Sequence, residues 1–358
     1  MTEHKFFELI RIADGKLQSF KEAPSAAEWG QLFKLAKEQS MVGVLSEAFE
    51  KLPKSQKPPQ KILLEWIGLR IQIGEKNKIL NQYARELTEK FEEHRFNCCI
   101  LKGQGTALYY PKPELREGGD IDIWVKGNRK EVLYSLAKQY SLGKQGWHHT
   151  ELEYNGIEVE VHHHPSKFYN PFTNRKLLKF YSEQWSVQCH NVSGHGYNVP
   201  NVEFAYIHCL LHIYGHILGE GVGLRQIMDL YYLGKALPTS SYTTVKNLIE
   251  EFYLRRVMGM LSYVLQDVFG QVYTIYPPNE KDGKYLLQSI MEGGNFGKFA
   301  KGYRTFMTGN KVMRGLKKFI FRQASLLTFF PSEVLWIVPW RLWFALYWRP
   351  THTIGLQK

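Results

Sequence analysis

The chain has 358 residues, of which 44% are hydrophobic and 22% charged. This balance excludes a disordered or collagen-like chain and leaves room for two or three domains. The charge is uneven. Lys and Arg outnumber Asp and Glu by 46 to 34, a net +12; from Lys298 onward eleven bases face the single acid Glu333, a net +10. The first 297 residues are therefore near neutral.

Cys98, Cys99, Cys189 and Cys209 form no Cys-x-x-Cys pair, so a reduced, cytoplasmic setting is expected. The N-terminus lacks the apolar run of a secretory signal. No stretch of roughly 18 uncharged apolar residues suggests a spanning helix.

In chain order, the first hundred residues read as helix. Ser25-Ala-Ala-Glu28 is a capping box, followed by Trp29, Leu32, Phe33 and Ala36 at helical spacing. A second stripe, Val44, Leu45, Ala48, Phe49 and Leu52, stops at Pro53. Residues 62–94 predict one or two long helices with Leu80, Tyr83, Leu87 and Phe91 on one face.

The pattern changes at Asn97. Residues 98–101 predict a buried strand entering a turn at Lys102-Gly103, and 104–110 a short helix closed by Pro111 and Pro113. Asp120-Ile-Asp-Ile-Trp-Val125 alternates as a strand does, and 129–140 predicts a helix. Residues 151–154 and 157–161 flank Asn155-Gly156, the preferred two-residue hairpin turn. Leu152, Tyr154, Ile157, Val159 and Val161 should face a core, with Glu158, Glu160 and His162 on the other side. Helix returns from Asn201, broken by the linker Gly219-Glu-Gly-Val-Gly223. The expected organisation is a helical region over 1–95, an α/β core over 96–200, a helical domain over 201–297 and a basic, aromatic-rich segment over 298–358.

Asp120 and Asp122, two apart on a strand, share a face with Cα atoms about 6.5–7 Å apart. Carboxylates so placed can converge on a hard dication such as Mg2+. A third acid on a neighbouring strand would complete a two-metal site, and Glu160 on the hairpin is the natural candidate. Lys102-Gly103 ends a strand where glycine lets backbone approach a triphosphate. With carboxylates clustered and no cation bound, removing Asp122 is expected to leave stability unchanged or raise it.

The ordered set of strand–Lys-Gly, helix, strand–Asp-x-Asp, helix and hairpin–Glu resembles the polymerase-β-like nucleotidyltransferase superfamily. More narrowly, Ile100-Leu-Lys-Gly-Gln-Gly-Thr-Ala-Leu-Tyr-Tyr-Pro111 and Leu115-Arg-Glu-Gly-Gly-Asp-Ile-Asp-Ile-Trp-Val125 are similar to the uncharacterised bacterial nucleotidyltransferase family. Val159-Glu-Val-His162 matches its apolar–acid–apolar–His motif, and Leu224-Arg-Gln-Ile-Met-Asp-Leu230 its helical signature. The chain departs from the superfamily pattern at Gly103-Gln104, where Gly-Ser or Gly-Gly is the rule, and at His163, where Trp is expected.

The resemblance implies an α+β fold, a small mixed sheet with helices flanked by N- and C-terminal helical segments. It implies transfer of a nucleoside monophosphate from an NTP, ATP among them, to an acceptor, with release of pyrophosphate. Asp120, Asp122 and Glu160 would bind Mg2+ or Mn2+, with Glu160 also helping to deprotonate the acceptor. Lys102, Gly103, Gln104, Arg116 and His162 would contact the nucleotide. The acceptor stays open among a protein, a sugar phosphate, a small molecule and RNA. The alternative is a catalytically degenerate nucleotide-binding or adaptor protein at a membrane surface or on RNA.

His162-His-His164 and His148-His149 also raise a zinc-dependent hydrolase, although consecutive strand residues alternate faces and cannot all reach one ion. His208, His212 and His216, at i, i+4 and i+8, read either as a polar stripe facing the α/β unit or, with Arg225 and Asp229, as acceptor or phosphate contacts. Arg225 and Asp229, at i and i+4, could equally pair with each other. In the tail, Arg314, Lys317, Lys318 and Arg322 accompany Phe319 and Phe321, and Trp336, Trp340, Trp343 and Trp348 follow. Three readings stand: a helical layer on the core, peripheral contact of 311–348 with anionic lipid at the inner membrane face, or an RNA-binding surface.

Overall fold

The computed structural model describes residues 2–188, 193–271, 275–298 and 311–354, and of residues 311–318 the backbone only. Cys189, Lys301, Arg304 and Lys358 lie outside the described residues, as do the side chains of Lys311, Arg314, Lys317 and Lys318. The fold is α+β, a five-stranded mixed sheet among many helices. Two compact units are each assembled from three stretches of chain. The first takes Met1–Lys78, Tyr109–Glu117 and Gly219–Lys318; the second takes Ile79–Leu108, Gly118–Leu218 and Phe319–Lys358.

The helices used below are α1 (Thr2–Ala13), α2 (Ala26–Glu38), α3 (Gln60–Glu93), α4 (Arg129–Ala137), α5 (Pro171–Gln188), α6 (Val202–Leu218) and α7 (Leu224–Ala236). They continue as α8 (Tyr242–Glu251), α9 (Arg255–Phe269), α10 (Glu280–Gly293), α11 (Lys311–Leu327) and α12 (Pro331–Trp343). Among the described residues no helix is long and apolar enough to cross a membrane.

Among the described residues, the regular elements of the first unit are all helical. At α2 the Ser25 hydroxyl and the Glu28 carboxylate cap each other's amides, the box expected from sequence. The 44–52 stripe forms two four-residue helices, Val42–Leu45 and Ala48–Lys51, rather than one. Residues 62–94 form the single helix α3, whose first part belongs to this unit.

The second unit holds the sheet. Its strands are β1 (Cys98–Ile100), β2 (Ile121–Val125), β3 (Leu142–Gln145), β4 (His149–Tyr154) and β5 (Ile157–His162), in the order β1-β2-β5-β4-β3. Strands β2 and β5 run parallel; the other pairs are antiparallel. The β4–β5 hairpin closes at Asn155 and Gly156, with φ of 49° and 79°. Both central residues thus take the left-handed conformation that a type I′ turn requires.

Side chains alternate across each strand. Ile121, Ile123, Val159 and Val161 turn to one face and pack on Leu80, Ala84, Leu87 and Phe91 of α3 and on Val132, Leu133 and Leu136 of α4. Full burial of each such aliphatic side chain contributes about 1.5–3 kcal/mol. The hairpin residues expected in the core are there: Leu152, Tyr154, Val159 and Val161 are buried, and Ile157 packs against them. Strand β3 and helix α5 have no counterpart in the sequence reading. The helix expected over 104–110 shortens to Gln104–Ala107, and that over 129–140 ends at Ala137.

Candidate active site

The opposite sheet face of the second unit carries the acids. In the parallel β2–β5 pair, Asp122 lies across from Glu160, and Trp124 across from His162. In the antiparallel β4–β5 pair, His149 lies across from His162, and Glu151 across from Glu160. This register brings side chains from three strands to one patch. It is not an open patch: Trp124, on the same face, stacks on Phe204 of α6 at 5.5 Å and meets Trp185 of α5 at 4.3 Å. Asp122 and His162 are both buried.

The turn after β1 supplies the lysine. Leu101 N donates to Asp122 O at 2.9 Å, fixing the end of β1 against β2. Gly103 has φ of 58°, and a Cβ there would lie 3.4 Å from Asp120 O. At Gly105 a Cβ would lie 2.8 Å from Ile100 O, closer than real contacts allow. The two glycines let the turn fold tightly onto the strand ends. Gln104 is buried and donates to Asn81 Oδ1 at 2.9 Å, so its side chain anchors the turn to α3.

Lys102 Nζ reaches Asp122 Oδ1 at 2.8 Å. His162 Nε2 lies 2.9 Å from the same oxygen and 3.1 Å from Glu160 Oε2. Burial pushes the Asp122 carboxyl up, but Lys102 and His162 outweigh it and hold the group well below the usual carboxylate range. Burial likewise raises Glu160, and the hydrogen bond from His162 reverses this to a net lowering. Lys102 is held above its ordinary value: burial lowers it, while the charges of Asp122, Glu160 and Asp120 together raise it. His162 is also raised, because its bonds to Asp122 and Glu160 overcome burial. The clustered acids therefore do not face one another bare. With half-buried Lys102 and buried His162 packed on Asp122, the geometry favours a stability loss on its removal over the unchanged or raised stability expected from sequence.

Asp120 stands just before β2, half-buried, two residues from Asp122 on the same side. Glu158, the next acid of this face on β5, is exposed. The oxygens of Asp122 and Glu160 converge on one nitrogen, His162 Nε2. The imidazoles enlarge this donor set: nitrogens of His149 and His162 lie with a Glu160 oxygen all within 4.8 Å of one another. Oxygen donors alone suit Mg2+, whereas mixed imidazole and carboxylate donors suit Mn2+ or Zn2+. His163 and His164 do not join this group: His163 Nε2 lies 3.3 Å from Thr150 Oγ1, and the His164 ring packs on Trp147 at 4.8 Å.

On α6, His212 Nδ1 lies 3.4 Å from Lys102 Nζ, and His216 Nε2 lies 3.1 Å from His212 Nε2. The histidine stripe thus faces the α/β part of its unit, as one of the sequence readings has it. His208 is buried in the field of Lys102, His162 and Asp122, and burial pushes its imidazole down to about 3. Neither of its ring nitrogens has a hydrogen-bond partner among the described residues. A buried ring with two open nitrogens suits a polar ligand group.

The remaining predicted residues belong to the first unit and form a cluster of their own. Arg116 is buried and grips Asp229 with two bonds, Nε to Oδ1 at 2.7 Å and Nη2 to Oδ2 at 2.8 Å. Tyr110 donates to Asp229 Oδ1 at 2.6 Å. Asp229 therefore pairs with Arg116 and not with Arg225, whose Nη1 donates to Glu117 O at 2.9 Å. The guanidinium fork is thus held on Asp229 within the first unit. Sequence reasoning gave His149 no role beside Glu160; the hairpin register was the signal that could have placed it there.

A family profile described as uncharacterised nucleotidyltransferase matches residues 25–270. The chain belongs to this nucleotidyltransferase family. The match contains β1, the Lys102-Gly103 turn, the Asp-x-Asp strand and the hairpin, so the acids just described lie inside it. No curated protein matches the chain. An antigenic nucleotidyltransferase-like protein from Paracoccidioides brasiliensis, known from its crystal structure, matches at 16% identity over 54% of this chain and 97% of that one, with a TM-score of 0.31.

Proposed function

We propose that the protein transfers a nucleoside monophosphate from an NTP to an acceptor, with a divalent metal held by Asp120, Asp122 and Glu160. The observation that carries this reading is the in-register Asp122–Glu160 pair on parallel strands, with Lys102 at 2.8 Å from Asp122. A divalent cation at these oxygens would neutralise the triphosphate and polarise the α-phosphorus. Lys102 would bind phosphate oxygens, and the Gly103 turn lets the backbone approach them. An acceptor oxygen attacks the α-phosphorus in line and the bond to the β-phosphate oxygen breaks, so pyrophosphate leaves. Glu160 takes the acceptor proton. His208 and His212, beside Lys102, contact phosphate or acceptor.

With the imidazoles of His149 and His162 beside Glu160, the site would accept Mn2+ as well as Mg2+. The second reading, a degenerate nucleotide-binding protein, is favoured by one observation: Lys102 and His162 already compensate Asp122 within the protein. The separating experiment incubates each α-labelled NTP with Mg2+ or Mn2+, cell lysate and either the wild type or Asp122→Ala. Label moved to an acceptor only by the wild type supports transfer. NTP binding without movement of any label supports the degenerate reading.

A further inference from the structure

Helix α12 and the turn that continues it to Trp348 have two apolar faces. One is used. Val334, Ile337 and Trp348 are buried, and Trp340 stacks on Phe344 at 5.2 Å beneath the Lys167 ammonium. Glu333 points inward and accepts from the Tyr169 amide at 2.6 Å. Beyond Trp348, Ile354 and Gln145 of β3 exchange two hydrogen bonds, of 3.0 and 3.1 Å. These contacts fix the segment within the second unit, as the helical-layer reading expected.

Among the described residues the other face has no cover. Leu335, Val338, Leu342 and Leu346 recur at three- and four-residue spacing and are all exposed, Leu335 by 66% and Leu346 by 77%. Trp336, Trp343 and Tyr347 flank the stripe. Phe172 of α5, 73% exposed, extends it through an edge contact with Trp336 at 6.3 Å. Exposed apolar side chains gathered on one helix face, rather than scattered singly, mark an interaction surface.

Charge selects the occupant. The only acid from residue 298 onward, Glu333, is buried, so this segment offers no negative charge to the surface while Arg341 and Arg349 are exposed. A second copy would bring the same exposed Arg341 and Arg349 against its like. RNA supplies phosphates for the arginines but nothing for the leucine stripe. Leucines flanked by Trp and Tyr, with cations at the border, match the boundary between headgroups and acyl chains. We propose that this face seats on an anionic lipid bilayer, with α12 lying in the interface plane. The inference is independent of the nucleotidyl-transfer reading.

The test is co-sedimentation of the full chain with phosphatidylcholine vesicles, with and without phosphatidylglycerol. Binding to the anionic vesicles, weaker on pure phosphatidylcholine and at raised salt, is expected. Leu342→Glu combined with Leu346→Glu, both at exposed positions, should weaken that binding about tenfold or more. A second measurement uses the unaltered protein: brominated lipid should quench its tryptophan emission through Trp336 and Trp343. Absence of vesicle binding, or binding without quenching, overturns the proposal. So does a wild-type oligomer that the double variant abolishes while vesicle binding is unaffected, which would make the face a contact between copies. RNA binding that the double variant abolishes, without vesicle binding, overturns it in favour of nucleic acid.

Discussion

Half-buried Lys102 and buried Asp122 form an ion pair across the β1–β2 edge of the sheet, Nζ to Oδ1 at 2.8 Å, and His162 Nε2 lies 2.9 Å from the same oxygen. One carboxylate thus serves a half-buried ammonium and a buried imidazole from two other stretches of chain. Removing it takes the ion-pair partner from Lys102 and leaves His162 only its bond to Glu160 among the described carboxylates. Asp122→Ala should therefore lower unfolding stability by about 3 kcal/mol, in the range for breaking one side of a buried pair. Denaturant titration checks this. A stability equal to or above the wild type would show that the cluster repels itself.

Glu160→Gln keeps the shape of the side chain and an oxygen for His162 while removing the charge. Its stability cost should be only about 1 kcal/mol, the value of weakening one hydrogen bond. NTP binding should persist and transfer should fall by about a hundredfold or more, as expected for the loss of a general base. Equilibrium dialysis with labelled NTP alongside the transfer assay separates the two effects. Full transfer by the variant would remove Glu160 from the catalytic set.

Arg116 and Asp229 should behave as a structural unit. Arg116→Met leaves Asp229 buried with Tyr110 alone and should cost about 3–5 kcal/mol. Adding Asp229→Leu should recover most of that loss, because both charges are then gone. A double-mutant cycle in urea reads the coupling.

Glu333 predicts a pH dependence. Burial pushes its carboxyl from 4.5 up to about 7, despite the amides of Tyr169 and Asn170 that favour the charged form. A carboxyl raised in the folded state binds its proton more tightly there, so its ionisation works against the fold. Stability from this group is present below about 4.5 and is lost as pH rises through about 7. Glu333→Gln should be more stable than the wild type at about pH 8, by up to about 3 kcal/mol, with the gap closing towards about pH 5. Thermal unfolding of both proteins across that range reads the slope.

The imidazole beside Glu160 predicts metal preference. His149→Ala should weaken Mn2+ binding by about tenfold or more and leave Mg2+ binding nearly unchanged, because Mg2+ takes oxygen donors. Calorimetric titration with each metal alone checks this. Equal losses for both ions would place His149 in a packing role.

Much of the site was legible in the sequence because strand alternation is a local rule. Asp120, Asp122 and Glu160 share a face by two-residue spacing, and Asn155-Gly156 fixes the hairpin that presents Glu160. The glycine at 103 likewise announces a tight turn after a short apolar run. The family motif follows the chain in order, so the membership could be read from it too.

What the sequence could not carry is which side chains meet across different stretches of chain. Strand order put Glu160 beside Asp122, and three-dimensional packing gave Lys102 and His162 to Asp122. The same holds for Arg116, which has a basic residue's composition and a core residue's burial, and whose partner Asp229 is 113 positions away. The two faces of α12 make the case most plainly. Sequence showed a basic segment dense in Trp and Phe, but only the fold decided that Val334, Ile337 and Trp348 are spent on packing while Leu335, Leu342 and Leu346 are not. Periodicity assigns a residue to a face. The tertiary structure assigns the face to the core or to the outside, because burial depends on what arrives from elsewhere in the chain.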